Sequence, residues 1–451
     1  MAQESNSRRD FLKLGAAGLA AGVAAACAAP ARPGPAAAPL DTPAPASLAT
    51  ETPAAAIVSA PTTQPTQAAA PGPAWPSKEQ RTLVVLQLSG GHDGLNAVVP
   101  YGDGRYYQLR PQIAVPADQV IPLDQRVGFH PNLKSLKQLY DNGQLAILQG
   151  VGYPNPNRSH FRSMEIWHTA RPDGAPPDRG WLGAFMAEVY RAGDSPFQCV
   201  NFGTSIPAAL VTTDAPVAAM QDTTSFQFLA PARMPYVKDP LLKTFGQLYT
   251  QPARKTPALE LVANNWSTVD KGVHVLGGLG QKYQAQAQYP GNPFAKTVQQ
   301  VAQMIVSDVG TRVFYVQLGG FDTHSNERPV HGNLMSQLAD TLAAFQADLE
   351  HHGRARQVLL MAFSEFGRRV AENGSQGTDH GAAGPMFVLG AGVKGGLYGE
   401  YPDLGKLDQG DLRFATDFRS VYATVIEDWL GAPSRDVLGG TFERLPFVAL
   451  T

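Results

Sequence analysis

Two cysteines in 451 residues, Cys27 and Cys199, are too few for a disulfide framework or a thiolate zinc site. Charge of one sign is lacking too: the formal net charge is −2. No basic excess points to nucleic acid, and no acidic run points to a disordered acidic tail. The body of the chain has no apolar run of the ~18 residues that a spanning helix needs. Internal repeats are also missing. What is present is 43% hydrophobic residues, ample for a large core.

The N-terminus reads as an address. Ser7-Arg8-Arg9-Asp10-Phe11-Leu12-Lys13, followed by a weakly apolar Ala/Gly/Leu/Val stretch, matches a twin-arginine export signal over residues 1–27. Cys27 closes that stretch after three alanines. Two readings of it stay open. One is a lipidated cysteine, with Ala24 where Leu is usual; the other is an incidental residue beside a simple Ala-x-Ala cleavage. Residues 28–77 are almost wholly Ala, Pro, Thr, Ser and Gly, a composition that buries too little apolar surface to fold. They read as a tether, which favours an anchored front end. The implied partners are the export machinery and, through Cys27 alone, a membrane. The expected location is extracytoplasmic.

From residue 78 to 451 the pattern is that of one α/β domain. "TLVVLQL" (82–88), "LAILQGV" (145–151), "FQCVNF" (197–202), "RVFYVQL" (312–318), "VLLMAF" (358–363) and "MFVLG" (386–390) are short apolar runs suited to strands buried on both faces. Helical periods lie between them at 131–143, 295–310, 334–353 and 418–431. This alternation predicts a mostly parallel central sheet with helices on both faces. Residues 203–257 are less regular and read as a possible insertion or lid.

Ligands of such sheets bind at the carboxyl ends of strands. The first strand is followed by His92, Asp93 and Asn96. The second is followed by Asn157, Arg158, Ser159 and His160. Asp322 and His324 follow "RVFYVQL", and Ser364 and Glu365 follow "VLLMAF". Asp379 and His380 stand just before "MFVLG". Four of the ten histidines fall in these few loops. Taken singly, several have plainer readings: Asp93 as a turn residue, Ser159 as a helix N-cap, Asp322 and His324 as caps, Glu365 as the helix-face partner of Arg368 or Arg369. His380, in a glycine-rich loop, is harder to explain structurally. Their coincidence at strand ends points to a metal or catalytic site.

The ordered motifs "LSGGHDGLN", "NRSHF", "GGFDTH", "SEFGR", "GTDHG" and "TDFRSVYATVIEDWLG" resemble the domain-of-unknown-function-1501 family over about residues 81–449. That family is grouped with the alkaline-phosphatase-like superfamily, which includes sulfatases. The resemblance implies an alkaline-phosphatase-like core and one or two divalent metal ions. It makes Asp93, Asp322, His324, Glu365 and His380 metal ligands, and Ser159 the nucleophile at a helix N-terminus. Only one residue separates Asp322 from His324 where the superfamily has three, so His331 is a rival ligand. Phe366 stands where a histidine ligand is expected. Asp93 and Glu365 would suit Mg²⁺, Ca²⁺ or Mn²⁺; Asp322, His324 and His380 would suit Zn²⁺, Mn²⁺ or Fe²⁺. Arg158 would pair with a phosphate or sulfate, and His160 would act as acid or base. The implied function is an exported metal-dependent hydrolase of small or polymeric phosphate or sulfate esters. The alternative is a non-enzymatic envelope-associated binding protein that keeps the fold, with or without one metal.

Overall fold

The computed structural model describes residues 76–173, 177–191, 194–224, 238–250 and 271–449, all within a unit that begins at Pro71. The expected signal, Cys27 and nearly all of the tether lie outside the described residues. Nine strands form the central sheet: β1 (Thr82–Leu88), β2 (Leu145–Gly152), β3 (Cys199–Phe202), β4 (Ala218–Met220), β5 (Val313–Leu318), β6 (Val358–Phe363), β7 (Gly384–Leu389), β8 (Gly396–Tyr398) and β9 (Thr416–Asp417). Their order is β8-β2-β7-β6-β1-β5-β3-β4, with β9 also on β2. Every pairing is parallel except the two made by β7. The mostly parallel sheet read from the sequence is therefore what forms.

Six helices flank it: α1 (Lys134–Asp141), α2 (His160–Thr169), α3 (Trp181–Val189), α4 (Pro293–Val306), α5 (Glu327–His351) and α6 (Phe418–Thr424). All seven residues of β1 are buried, and their alternation splits them between two cores. Val84, Leu86 and Leu88 face a core closed by α1, α4 and α5. Leu83 and Val85 face a second core closed by α2, α3 and α6. In α4, Val298, Val301, Ala302 and Ile305 repeat at helical spacing and are all buried. That helix starts where Asn292 Oδ1 accepts the Ala295 N–H at 2.8 Å and Pro293 takes the first turn.

The reversed strand decides where the loops meet. β7 runs against β2 and β6, pairing Gly384 with Val151 and Phe387 with Ala362. Its entrance thus lies at the edge where β1, β2 and β6 end. Five segments converge there: 89–93, 153–160, 319–324, 364–369 and 378–383.

Residues 364–383 form no helix, so Glu365 has no helix face on which to meet Arg368 or Arg369. Within 203–257, residues 218–220 are the edge strand β4, and Lys238–Thr250 is helical. A small antiparallel sheet of Val98–Val99, Ile121–Pro122 and Gly128–Phe129 anchors the segment after β1.

Leu338 is fully buried between α5 and the sheet. Leu338→Ala is expected to lower unfolding free energy by about 2–5 kcal/mol, read by urea unfolding. A loss under about 1 kcal/mol would mean that α5 is not packed as described.

Candidate metal centre

Two glycines let β1 and β5 close on each other. Gly90 and Gly91 have φ of 121° and 80°. A Cβ on Gly90 would strike the Phe321 and Asp322 backbone, and one on Gly91 the Phe366 ring. This left-handed, crowded turn requires glycine.

Into the gap reaches Arg368, whose guanidinium is fully buried. Its Nε donates to the Gly91 carbonyl at 2.7 Å, and Nη1 to the Thr378 carbonyl at 2.8 Å. Its Nη2 donates to the carbonyls of Gly90 and Phe321 and to Asp322 Oδ1, the last at 2.7 Å. This one side chain ties three other segments to its own. Burial works against charge on Asp322, but the hydrogen bond and positive charge of Arg368 work the other way, and the carboxyl is held down at about 2.

Around that carboxylate stand three imidazoles, each turned the same way. His324 Nε2 and His380 Nε2 each lie 3.1 Å from Asp322 Oδ1, and 3.0 Å from each other. His160 Nε2 lies 3.5 Å from the other oxygen, Oδ2. Each Nδ1 is held from behind by an oxygen: His160 by Glu365 Oε1 at 2.9 Å, His324 by Asp379 Oδ1 at 3.2 Å, His380 by the Arg158 carbonyl at 2.8 Å. A carbonyl only accepts, so His380 Nδ1 carries a hydrogen. The neutral ring then presents a bare Nε2 to the centre.

This is how metal-ligating histidines are oriented, with the rear nitrogen on an oxygen acceptor. It also tests whether a cation fits. Two imidazole nitrogens 3.0 Å apart need a proton or a metal cation between them. Ligand atoms at the ~2.0–2.1 Å bonds of tetrahedral zinc lie about 3.3 Å apart, close to the spacing here. Two overlapping trios share Asp322 and His380. The one completed by His324 has edges of 3.0 and 3.1 Å. The one completed by His160 is looser, with ligand atoms within 4.8 Å of one another. The tighter trio is the better ligand set, because its atoms need hardly move.

The model for the family described as "Protein of unknown function (DUF1501)" matches residues 80–427. The chain belongs to the DUF1501 family. No curated protein matches this DUF1501 chain. Among solved structures, it resembles a PsFucS1 sulfatase from Pseudoalteromonas sp. at 12% identity, covering 81% of this chain and 70% of that one, with a TM-score of 0.36. The lipoteichoic acid synthase LtaP from Listeria monocytogenes is similar at 10% identity, with coverages of 82% and 79% and a TM-score of 0.35. The C-terminal periplasmic domain of EcEptC from Escherichia coli, in complex with Zn, matches at 11% identity, with coverages of 69% and 72% and a TM-score of 0.31.

Other residues singled out in the DUF1501 sequence take varied places. Glu365 is buried beside the centre. Its Oε1 accepts the Gly90 N–H at 2.9 Å besides facing His160, and Ser364 Oγ donates to its Oε2 at 3.1 Å. Ser159 is the exposed N-cap position of α2, and its side chain makes no capping hydrogen bond. Arg158 pairs with Asp411, its Nε at 2.8 Å. Phe366 lies against the rings of His160 and His380, at centroid distances of 4.9 and 4.6 Å. Arg368 was legible only as a candidate ion-pair partner, and nothing in the sequence singled out its buried role.

Asp93 is held elsewhere. Arg110 grips it through Nη1–Oδ2 at 2.6 Å and Nη2–Oδ1 at 3.0 Å, both side chains being buried. Burial opposes charge on Asp93, but the guanidinium keeps its carboxyl far below the usual range. His331 is buried too and stacks on His92 with centroids 5.4 Å apart. Burial holds His92 down at about 4 and His331 well below its ordinary value, so both are neutral near pH 7. Asp93, Glu365 and His331 belong to neither of the two trios around Asp322.

Glu327, buried beside Asp93, has its carboxyl pushed up to about 9 by burial and by that neighbouring charge. It is therefore protonated near pH 7. A raised carboxyl stabilises the fold fully below its unfolded value, about 4.5, and loses that contribution as pH climbs toward 9. Glu327→Gln, which keeps the neutral shape, is expected to flatten the fall of stability between pH 5 and 9. The bound for one proton is about 1.4 kcal/mol per pH unit. Urea unfolding across that range is the check. Parallel slopes in both proteins would refute a buried neutral Glu327.

Proposed function

We propose that this protein is a metal-dependent hydrolase of phosphate or sulfate esters, with its chemistry centred on one divalent cation held by Asp322, His324 and His380. The observation that supports it best is the convergence of imidazole Nε2 atoms on the Asp322 carboxylate, each ring held at Nδ1 by an oxygen. Two imidazoles and a carboxylate suit Zn²⁺, Mn²⁺ or Fe²⁺ better than Mg²⁺ or Ca²⁺. A cation there would polarise an ester oxygen and lower the pKa of water.

The protein's own groups supply the rest. His160 is the proton carrier at Nε2, and Glu365 fixes its ring through Nδ1. Arg158 offers a planar guanidinium to the non-bridging oxygens of the ester, exchanging its pairing with Asp411 for the substrate. Ser159 presents a hydroxyl not used for capping at the N-terminus of the ten-residue helix α2, where backbone N–H groups favour an anion. It is the candidate attacking group, with water as the alternative.

We also carry forward export by the twin-arginine route, a tether over residues 28–77 and lipidation at Cys27. No described helix is long and apolar enough to cross a membrane.

Elemental analysis of protein purified without chelator is expected to find one cation per chain, lost in Asp322→Ala and His380→Ala. Full metal content in both variants would refute the ligand assignment. His160→Ala is expected to keep the metal yet slow ester turnover by about 10²–10⁴-fold. Loss of metal in that variant would instead make His160 a ligand. If the metal-loaded protein turns over no phosphate or sulfate ester, the hydrolase reading fails and the envelope binding protein takes its place.

A further inference from the structure

Beside the centre lies a cavity of about 630 Å³. Phe366 forms part of its wall and carries the rings of His160 and His380. Arg158, whose carbonyl holds His380, forms another part. An ester whose acidic group sits at the ligand trio would have its alcohol portion directed here. The volume is that of a site for a whole organic group rather than a lone oxyanion.

The far wall is chemically specific. Asn155, Gln409 and Arg413 line it with exposed side chains that make no hydrogen bond or ion pair with any described residue. Asn155 and Gln409, with φ of 53° and 51°, come to the cavity from two separate loops. Asp408 adds an exposed acceptor. Phe414 is 39% exposed, a large aromatic side chain left partly in water at the cavity wall. Gly152 makes room for it: a Cβ there would come within 2.9 Å of Phe414 Cβ.

Donors and acceptors are thus mixed, the free cation of Arg413 is balanced by the acid of Asp408, and one aromatic surface is open. A simple alkyl chain would leave the amides and Arg413 without partners. A second strong anion would meet Asp408. A ring with many hydroxyls satisfies the whole set: hydroxyls for the amides, the acid and the guanidinium, and an apolar C–H face for Phe414.

We propose that this cavity binds the alcohol part of the ester and that this part is a saccharide. The inference rests on the hydrolase reading for the direction of the ester, but its ligand contacts can be tested without turnover.

The metal-loaded full chain would be titrated calorimetrically with hexoses and disaccharides, in neutral, O-sulfated and O-phosphorylated forms. Phe414→Ala and Asn155→Ala would be titrated alongside, with metal content and circular dichroism confirming that each folds and stays loaded. Steady-state kinetics would compare the same saccharide esters with 4-nitrophenyl sulfate and phosphate. Saccharide binding weakened about tenfold or more in either variant, with metal content unchanged, is the expected result. Such binding without any ester turnover would support the saccharide cavity and remove the hydrolase. Turnover of nitrophenyl esters with no saccharide bound, or with binding equal in wild type and both variants, would overturn the cavity inference and leave the hydrolase standing. Neither binding nor turnover would remove both.

Discussion

A fully buried guanidinium, that of Arg368, holds the candidate metal centre in shape. Removing a charge from water costs several kcal/mol unless every N–H is satisfied. Arg368 finds acceptors at all three of its nitrogens: the carbonyls of Gly90, Gly91, Phe321 and Thr378 and Asp322 Oδ1. The demand runs both ways. These carbonyls belong to turns that have no strand partner to pair with, so each turn depends on the guanidinium as much as it depends on them. Lysine, with a point charge and three donors, has no geometry that reaches all five acceptors. Asp322 is thus aimed before any ligand arrives. Its charge is stabilised by an arginine on Oδ1, the oxygen that His324 and His380 also approach.

The reversed strand β7 supplies the other constraint. In a wholly parallel sheet, the segment before a strand lies at the opposite edge from the segments after its neighbours. Because β7 runs antiparallel to both β2 and β6, the loop that leads into it arrives at the edge where they end. His380 can therefore meet His324, which follows β5, and His160, which follows β2. One inverted strand converts an entrance loop into a member of the site.

The sequence revealed the strands where burial is complete. "TLVVLQL" and "VLLMAF" appear residue for residue as β1 and β6, because strands buried on both faces leave an unbroken apolar run. β4, β8 and β9 left no signal, being three, three and two residues long, too short for any period to show. The helix beginning at His160 was expected only through Ser159, read as an N-cap and, from the resemblance, as a residue at a helix N-terminus. At the centre, residue types were readable and partners were not. His160 and Glu365 are 205 positions apart, and Arg368 reads as an ordinary basic residue beside Arg369. Only the folded chain shows that one of these two arginines is buried and the other is not.

The departures from the resembling superfamily are better understood as compensations than as losses. Where a histidine was expected, Phe366 lies against His160 and His380, giving the two rings a surface to rest on. Asp93, expected on a metal, has a guanidinium gripping both of its oxygens instead. A bidentate arginine satisfies a buried carboxylate as completely as a cation does, and it cannot dissociate. Asn96 and Tyr106 extend that grip, with Asn96 Oδ1 accepting from both the arginine and the tyrosine hydroxyl. The positive charge that Asp93 faces is thus a covalently attached one, that of Arg110. The remaining titratable cluster of Glu327, His92 and His331 is kept neutral by burial, so it adds no competing anion behind Asp93. What remains to attract a metal is the Asp322 carboxylate with its imidazoles, and there each ring is already turned toward the centre.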